Sequence, residues 1–367
     1  MDSNFLHYFA GGNTAKGFYN LFDSNLQGLE RVFILSGKSK TAKSRLIERL
    51  AEEWGGKGHS LEVIHSAHDH HSLDGLIIRK LGFGIVDGHP PRVIGKEFVG
   101  ARWETVDLEV LGAQPGIEDG SAEVDILKEE INSALETAYG AYEEALKIHD
   151  DWESIYIGRM DFQKADRVAD RLIKDLFGRQ EKGIESCTRR RFLGAATPAG
   201  AVDFVENLTE GLSRRFFLKG RAGTGKSTLL KKIAAEAERR GYVTEIYHCG
   251  FDPNSLDMVL VRELGWAIFD STAPHEYFPE REGDEIVDMY ELTVAPGTDE
   301  MFAKEIADIE AEYRRNMTEA NNYLAEAKRL QDQLEIKLAE GKGRTYLDDI
   351  FADINGEIKL LAKQGLL

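Results

Sequence analysis

The stretch Phe216–Arg240, FFLKGRAGTGKSTLLKKIAAEAERR, decides which fold the sequence predicts. An apolar strand is followed by a glycine-containing loop and then by a helix, and the loop fits the pattern Gly-x-x-x-x-Gly-Lys-Ser/Thr. Glycines let such a loop curve tightly, so that its amides and the helix N-terminus face one anion. We therefore predict that the loop binds the phosphates of a nucleotide. The residues expected to contact it are Gly220, Ala222, Gly223, Thr224, Gly225, Lys226, Ser227 and Thr228.

Catalysis at such a loop needs a lysine, a metal and an acid. We expect Lys226 to reach the β- and γ-phosphates and the Ser227 hydroxyl to ligate Mg²⁺. Asp270 follows an apolar strand, at the edge where open α/β sheets bind ligands, and is the expected magnesium acid. Asp252 follows another predicted strand, where a carboxylate would position a water molecule or an acceptor hydroxyl. The predicted catalytic residues are thus Lys226, Asp252 and Asp270, with turn-capping aspartates as the alternative.

The sequence repeats itself. A displacement of 183 residues aligns residues 8–91 with residues 191–274 without a gap. We therefore divide the chain into two copies of one unit, residues 1–183 and residues 184–367. Each copy is expected to be one domain, and the two are expected to pair within the chain as two subunits of a dimer would.

The first copy carries an altered loop, GKSKTAKS, at residues 37–44. Lys40 and Ala42 stand where the second loop has glycines, and a side chain at either place would crowd the loop. The residues that remain for a nucleotide are Gly37, Thr41, Lys43 and Ser44, with Ser44 and Asp87 as its metal ligands. We expect either a weaker or regulatory nucleotide site here or a degenerate site kept for its scaffold.

Strands alternate with helices in both copies, which predicts an α/β fold of three layers with a mostly parallel sheet. Predicted helices in the first copy span 15–29, 43–54 and 72–81, and predicted strands span 32–35, 61–66, 83–86 and 105–111. Predicted helices in the second copy span 199–212, 226–240 and 255–264, and predicted strands span 216–218, 242–249, 266–269 and 286–294. Thr14 and Thr197 are the expected caps of the first helices.

The tail of each copy, residues 121–178 and 299–361, is rich in Ala, Glu, Lys and Leu with helical spacing. We predict a long antiparallel helical hairpin on each α/β domain. It either packs on its own domain or docks a protein partner or the other copy. Residues 179–191, which include three consecutive arginines, are predicted to be the linker between the copies.

The composition narrows the range of partners. The formal net charge of −18 at pH 7 makes nucleic acid an unlikely partner. Only Cys187 and Cys249 are present, which fits a reducing compartment. No apolar stretch is long enough for a membrane span and no secretory signal is evident, so we expect a cytoplasmic protein without a membrane partner.

Three pairs of segments resemble an uncharacterised bacterial family of tandem P-loop ATPases. They are KGRAGTGKSTLLKKIAAEAERRGY with SGKSKTAKSRL, HCGFDPNSLD with HSAHDHHSLD, and FDSTAPH with VDGHPPR. The resemblance covers both α/β portions, and the tails more loosely. It implies tandem P-loop NTPase domains, with ATP and Mg²⁺ bound around Lys226 and Ser227. It implies no second substrate, and Ala42 departs from the pattern.

These observations favour a magnesium-dependent ATPase whose main site lies in the second copy. Two alternatives stay open. One is a small-molecule or nucleotide kinase in which Asp252 accepts the hydroxyl proton. The other is a module that binds ATP without hydrolysing it and uses its helical arms to hold a protein partner.

Overall fold

Twelve strands of the chain form a single mixed sheet in the computed structural model, and four others form a second, smaller sheet. The structure describes residues 4–92, 94–95, 102–108, 122–183, 187–339 and 345–364. The strands of the first copy are β1 Phe5–Phe9, β2 Gly11–Thr14, β3 Gly17–Asn20, β4 Arg31–Ser36, β5 Leu61–Ser66, β6 Asp69–Ile78, β7 Phe83–Asp87 and β8 Arg102–Asp107. The strands of the second copy are β9 Thr188–Phe192, β10 Gly194–Thr197, β11 Gly200–Asp203, β12 Arg214–Lys219, β13 Thr244–His248, β14 Leu256–Val261, β15 Trp266–Asp270 and β16 Asp284–Asp288.

The helices follow the same repetition. They are α1 Phe22–Leu26, α2 Lys40–Gly55, α3 Ala122–Ile157, α4 Phe162–Phe177, α5 Val205–Leu208, α6 Lys226–Arg239, α7 Met289–Thr293, α8 Thr298–Met301, α9 Ala303–Ala339 and α10 Thr345–Gln364. Strands and helices alternate around large buried cores, so the predicted α/β class is confirmed. Within the described ranges, no helix combines the length and the apolar character needed to cross a bilayer.

The order of the strands shows a two-fold relation between the copies. The large sheet runs β16-β12-β15-β14-β13-β9-β1-β5-β6-β7-β4-β8, and the small one runs β11-β10-β2-β3. At the centre of the large sheet, Phe9 pairs antiparallel with Phe192. At the centre of the small sheet, Asn13 pairs antiparallel with Ala196. Each pair joins equivalent residues, as an isologous interface requires.

Antiparallel strands stand where the sequence predicts helices at 72–81 and 255–264. β6 runs antiparallel to both β5 and β7, and β14 runs antiparallel to both β13 and β15. The prediction fails because Leu73–Ile78 is a continuous buried run. Such a run has no period that separates a buried strand from a buried helix. The large sheet is consequently mixed, although parallel pairings still outnumber antiparallel ones among its described strands, as predicted.

Hairpins stand where the sequence predicts helices at 15–29 and 199–212. The Thr14 hydroxyl donates to the carbonyl of Gly17 at 2.8 Å and accepts from the amide of Lys16 at 3.1 Å. It therefore closes a turn between β2 and β3 and does not cap a helix. Thr197 makes the equivalent bonds between β10 and β11. Only the short helices α1 and α5 remain of the predicted ones.

Other boundaries agree more closely with the sequence. The strand at 61–66 is found as predicted, and the helix at 226–240 differs only at its last residue. The strand predicted at 286–294 is β16 followed by α7. β8 begins earlier than the predicted strand at 105–111. Predicted positions 109–111, 121, 184–186 and 340–344 lie outside the described residues.

The long tails are not hairpins on their own domains. α3 and α9 pack against each other in antiparallel fashion, with Leu127 beside Leu338 at one end and Ile155 beside Ile306 at the other. α4 continues onto the second copy, where Leu172 joins the core of α6 and β12. α10 packs on the first copy, against α2 and β4. The copies therefore exchange their last helices.

The predicted linker at 179–191 contains all but the last residue of strand β9, and its Arg191 is buried at the junction of the copies. The guanidinium bonds Glu62 of the first copy at 2.7 Å and Glu245 of the second at 2.8 Å, and its exposed fraction is 1%. It also covers the ring of Tyr8, which is the equivalent residue of the first copy. Burial raises the pKa of Glu62, but Arg191 and Arg79 outweigh burial and lower it to about 2.

Replacing Arg191 with Met should lower the free energy of unfolding by about 3–5 kcal/mol, because two buried carboxylates lose a shared partner. Arg190→Met is the matched control, since Arg190 is 43% exposed and lies 3.7 Å from Glu238. Its loss should be about 0–1 kcal/mol. Urea unfolding of both variants measures the difference, and equal losses would contradict the role given to Arg191.

Candidate functional site

The loop at 220–225 connects β12 to α6 at the carboxyl end of the sheet. β12 lies between β15 and β16 and runs parallel to both. Gly223 and Gly225 have φ angles of 72° and 82°, which residues other than glycine rarely adopt. Gly225 thus turns the chain directly into the first residue of α6. The strand, loop and helix predicted from Phe216–Arg240 are all in place.

The amides at the start of α6 have no intrahelical acceptor. The first bond of the helix runs from the amide of Leu229 to the carbonyl of Gly225, at 2.9 Å. The amides of Lys226, Ser227 and Thr228 precede it, and no carbonyl or side chain in the described part of the chain accepts from them. Three unpaired donors at the positive end of a helix form an anion-binding position.

Three of the predicted side chains lie around this helix start. The Lys226 ammonium donates to the Arg221 carbonyl at 2.8 Å and lies 3.6 Å from an Asp270 carboxylate oxygen. Asp270 ends β15, the strand next to β12, and its other oxygen accepts from Thr272. The Ser227 hydroxyl accepts from the amide of Leu256, at 3.0 Å.

Asp257 is a member of the site that the sequence did not reveal. It lies on β14, next to β15, and was expected in the first turn of a helix. Burial raises the pKa of its carboxyl to about 7, and the nearby charge of Asp270 adds to this increase. Simultaneous ionisation of the neighbouring carboxyl groups of Asp257 and Asp270 is therefore unfavourable. A cation between them would remove that penalty.

The first copy fills the same place with arginine. Arg92 bonds both oxygens of Asp74, at 2.7 and 2.8 Å, and lies 3.4 Å from Asp87. Lys43 bonds Asp87 at 2.8 Å, and this pair is almost fully buried. Burial raises the pKa of Asp87, but Arg92 and Lys43 outweigh burial and lower it. The two acids of the first copy are neutralised by the protein itself.

His275 replaces this arginine in the second copy. Its Nδ1 lies 2.6 Å from an Asp203 carboxylate oxygen. Burial lowers the pKa of His275, but the bond to Asp203 outweighs burial and raises it. Among the residues that the structure describes, no arginine forms an ion pair with Asp257 or Asp270. The second copy thus keeps both acids but has His275 in place of the arginine, and the ammonium of Lys226 lies 3.6 Å from Asp270.

The first loop is shorter, because α2 begins at Lys40. Lys40 and Ala42 are helical at the places where the second loop has its two glycines. The amides of Lys40 and Thr41 donate to the carboxylate of Glu335, at 2.8 and 3.3 Å. Ser44 donates to Glu48 and accepts from the Leu73 amide. The first-copy residues expected to bind a nucleotide or metal, apart from Gly37, therefore already form bonds to other residues of the protein.

The end of α3 lies on the second loop. A Cβ at Gly223 would stand 2.4 Å from the carbonyl oxygen of Glu153, and one at Gly225 would stand 2.7 Å from the methyl group of Met160. Both contacts come from the first copy, so the second loop is covered by a segment of its counterpart. Within one turn of this segment, His149, Asp150 and Glu153 place one ligand atom each within 4.8 Å of the others.

Asp252 lies away from the loop. Its carboxylate accepts from the amide of Asn254 at 3.1 Å and from the hydroxyl of Ser255 at 2.9 Å, which closes the turn after β13. Two strands separate β13 from β12 in the sheet, a distance of about 14 Å. No contact with the loop is found for Asp252 in the described ranges. Its catalytic role stays a prediction.

Comparisons with known proteins add no relative: no family model, no curated protein and no solved structure matches the chain.

The two lysines should differ in what they contribute to stability. Lys43→Ala leaves Asp87 buried without its bonded lysine, so the free energy of unfolding should fall by about 3–5 kcal/mol. Lys226→Ala removes one bond to a carbonyl and a longer contact with Asp270, which is less buried than Asp87, so the fall should be smaller, about 1 kcal/mol. Urea unfolding of the two variants measures this. Equal losses would show that the lysines have the same structural role.

Proposed function

We propose that the second copy binds ATP with Mg²⁺ and hydrolyses it, and that the chain consists of tandem P-loop NTPase-type units. One observation carries the proposal. In the described part of the chain, the first three amides of α6 have no acceptor and no arginine pairs with Asp257 or Asp270, whereas in the first copy Glu335 accepts from amides at the start of α2 and Arg92 pairs with both acids. Because the two copies have the same fold, comparing them shows which groups of the second copy are available to a ligand.

The assignment of each group follows from its chemistry. The amides of Lys226, Ser227 and Thr228 would hold phosphate oxygens, and the Lys226 ammonium would balance charge on the γ-phosphate. Ser227, Asp270 and Asp257 would hold Mg²⁺, for which hydroxyl and carboxylate oxygens are suitable ligands. The ion supplies charge that stabilises the phosphate oxygens in the transition state. Asp257 joins the predicted metal ligands Ser227 and Asp270.

The reaction is a displacement at phosphorus. The oxygen of a water molecule forms a bond to the γ-phosphorus, and the bond between that phosphorus and the β–γ bridging oxygen breaks. ADP and inorganic phosphate result, with the proton of water passing to the released phosphate or the solvent. Lys226 and the loop amides stabilise the charge that moves onto the bridging oxygen.

Replacing Lys226 with Ala should abolish ATP turnover, with a loss in kcat/KM of about 100-fold or more. Lys232→Ala is the matched control, because Lys232 lies on the same helix and is 45% exposed. Its kcat/KM should equal that of the unaltered chain. Phosphate release and calorimetric ATP binding measure the effect. If the unaltered chain binds no ATP, or if Lys226→Ala hydrolyses it normally, the proposal fails.

Binding of a divalent cation should depend on pH, because Asp257 carries a proton below its pKa of about 7. The charged form is present above that pH, so Mn²⁺ affinity should rise about tenfold between pH 6 and pH 8. Water proton relaxation measures Mn²⁺ binding. Asp257→Asn should bind weakly and without this pH dependence.

His275→Arg tests the same cation site from the opposite direction. It restores the arginine of the first copy and should prevent Mn²⁺ binding, because a guanidinium would pair with both acids. Glu276→Gln is the control, since Glu276 is 51% exposed and pairs with Lys219. A pH-independent affinity in the unaltered chain, or normal Mn²⁺ binding by His275→Arg, would rule out the acid pair.

One observation favours a second candidate, a module that couples ATP binding to movement of its helices. The backbone of Glu153 and the side chain of Met160 lie on the loop that would hold the phosphates. A nucleotide there would bear directly on the end of α3. ATP binding without turnover, together with increased proteolysis of α3, would support this candidate over the ATPase.

A further inference from the structure

A cavity in the first copy lies beyond the proposed ATP site. It has a volume of about 50 Å³ and is enclosed by the start of α2, the turn between β5 and β6, and the paired helices α3 and α9. A cavity of about 10–15 Å³ already holds a water molecule, so this one has room for several. Lys40, Thr41, His68, Gln331 and Glu335 are among the residues that line it.

The Glu335 carboxylate occupies the anion position at one side of this cavity. It accepts from the Ser39 hydroxyl at 2.7 Å, from the Lys40 amide at 2.8 Å, and from the Thr41 amide at 3.3 Å. The side-chain amide of Gln331 donates to it at 3.0 Å. Four donors around one carboxylate are a built oxyanion site, and Glu335 comes from a helix almost 300 positions away in the chain.

His68 provides a second and independent indication. It is 9% exposed, and neither of its ring nitrogens has a partner among the described residues. Buried polar atoms are nearly always hydrogen-bonded, so an unpaired ring facing a cavity indicates a missing ligand or water. The ring stacks on Phe18, which fixes its orientation. Its neutral form offers one N–H donor to whatever occupies the cavity.

Lys40, whose amide donates to Glu335, also brings a cationic side chain to the lining of the cavity. Burial and the neighbouring Arg92 lower the pKa of Lys40 to about 8, and the charges of Asp87 and Asp74 only partly oppose this decrease. An anion beside it would reverse that effect. Thr41 is exposed, so the position held by Glu335 is open to solvent.

We propose that the first copy is an oxyanion site whose resident ligand is Glu335, and that a phosphate group competes with this carboxylate for the same donors. The phosphate group can belong to inorganic phosphate or to a nucleotide. The lysine of this copy is held by Asp87, so recognition rests on the helix amides, Ser39 and the cavity groups. The site is separate from the second loop and does not depend on its activity.

Glu335→Ala in a Lys226→Ala background tests this proposal with the second loop weakened, and Lys226→Ala alone measures what that loop still binds. Inorganic phosphate and ATP are titrated separately by calorimetry, and thermal unfolding is followed in parallel. Lys226→Ala alone should bind neither up to millimolar concentration. The double variant should bind at least one of them at least tenfold more tightly, and should gain thermal stability as that ligand is added. Phosphate binding without ATP binding would identify the free ion as the ligand.

Asp332→Asn, in the same background, is the matched control. Asp332 also lines the cavity from α9, but its carboxylate pairs with Lys328 at 2.6 Å. Equal phosphate binding by this variant would overturn the proposal, because the gain would reflect net charge alone. Glu335→Gln keeps the size of the side chain and should give an intermediate gain.

His68→Phe, added to the double variant, preserves stacking on Phe18 and should weaken phosphate binding. Unchanged phosphate binding in this variant would show that His68 does not contact the bound phosphate. Absence of binding to either ligand in both Glu335 variants would overturn the whole proposal.

Discussion

One antiparallel contact between equivalent strands determines the arrangement of the whole molecule. β1 and β9 would each be an exposed edge if a copy stood alone, and unpaired edges invite aggregation. Their pairing at Phe9 and Phe192 removes both edges and relates the copies by a two-fold axis. Arg191 secures the junction from one copy only, because the equivalent residue is Tyr8. The order of the strands is therefore symmetric between the two copies, whereas the side chains at their junction differ.

The exchange of helices makes each loop depend on the other copy. α3 begins in the first copy and ends on the second loop, whereas α9 begins near the second loop and brings Glu335 to the first. Neither loop is completed by the residues of its own copy. The paired helices thus connect the two sites physically, and a change at one end of the pair would act on a continuous packed element.

Local patterns predicted the strand, loop and helix around Lys226, and the strand ends that carry Asp87 and Asp270. Features that depend on contacts between distant parts of the chain cannot be predicted from such local patterns. β6 and β14 are buried on both faces, which removes the alternation that marks a strand. The sequence around Asp257 predicts a helix, so the position of this acid on a strand beside Asp270 is not evident from the sequence. Glu335 was missed because no sequence signal links a glutamate in a helical tail to a loop that lies far from it in the chain.

The two copies differ in how they compensate the charge of their buried acids, because an unpaired buried charge costs free energy. In the first copy, Arg92 and Lys43 satisfy Asp74 and Asp87, and Glu335 satisfies the helix amides, which stabilises the fold without any ligand. In the second copy, His275 stands in place of the arginine, and burial together with the charge of Asp270 raises the pKa of Asp257 to about 7. Acids with raised pKa values are frequent at functional sites, which is a reason to place the proposed ligand in the second copy. Arg92 in the first copy and His275 in the second are therefore the difference on which the proposed function rests.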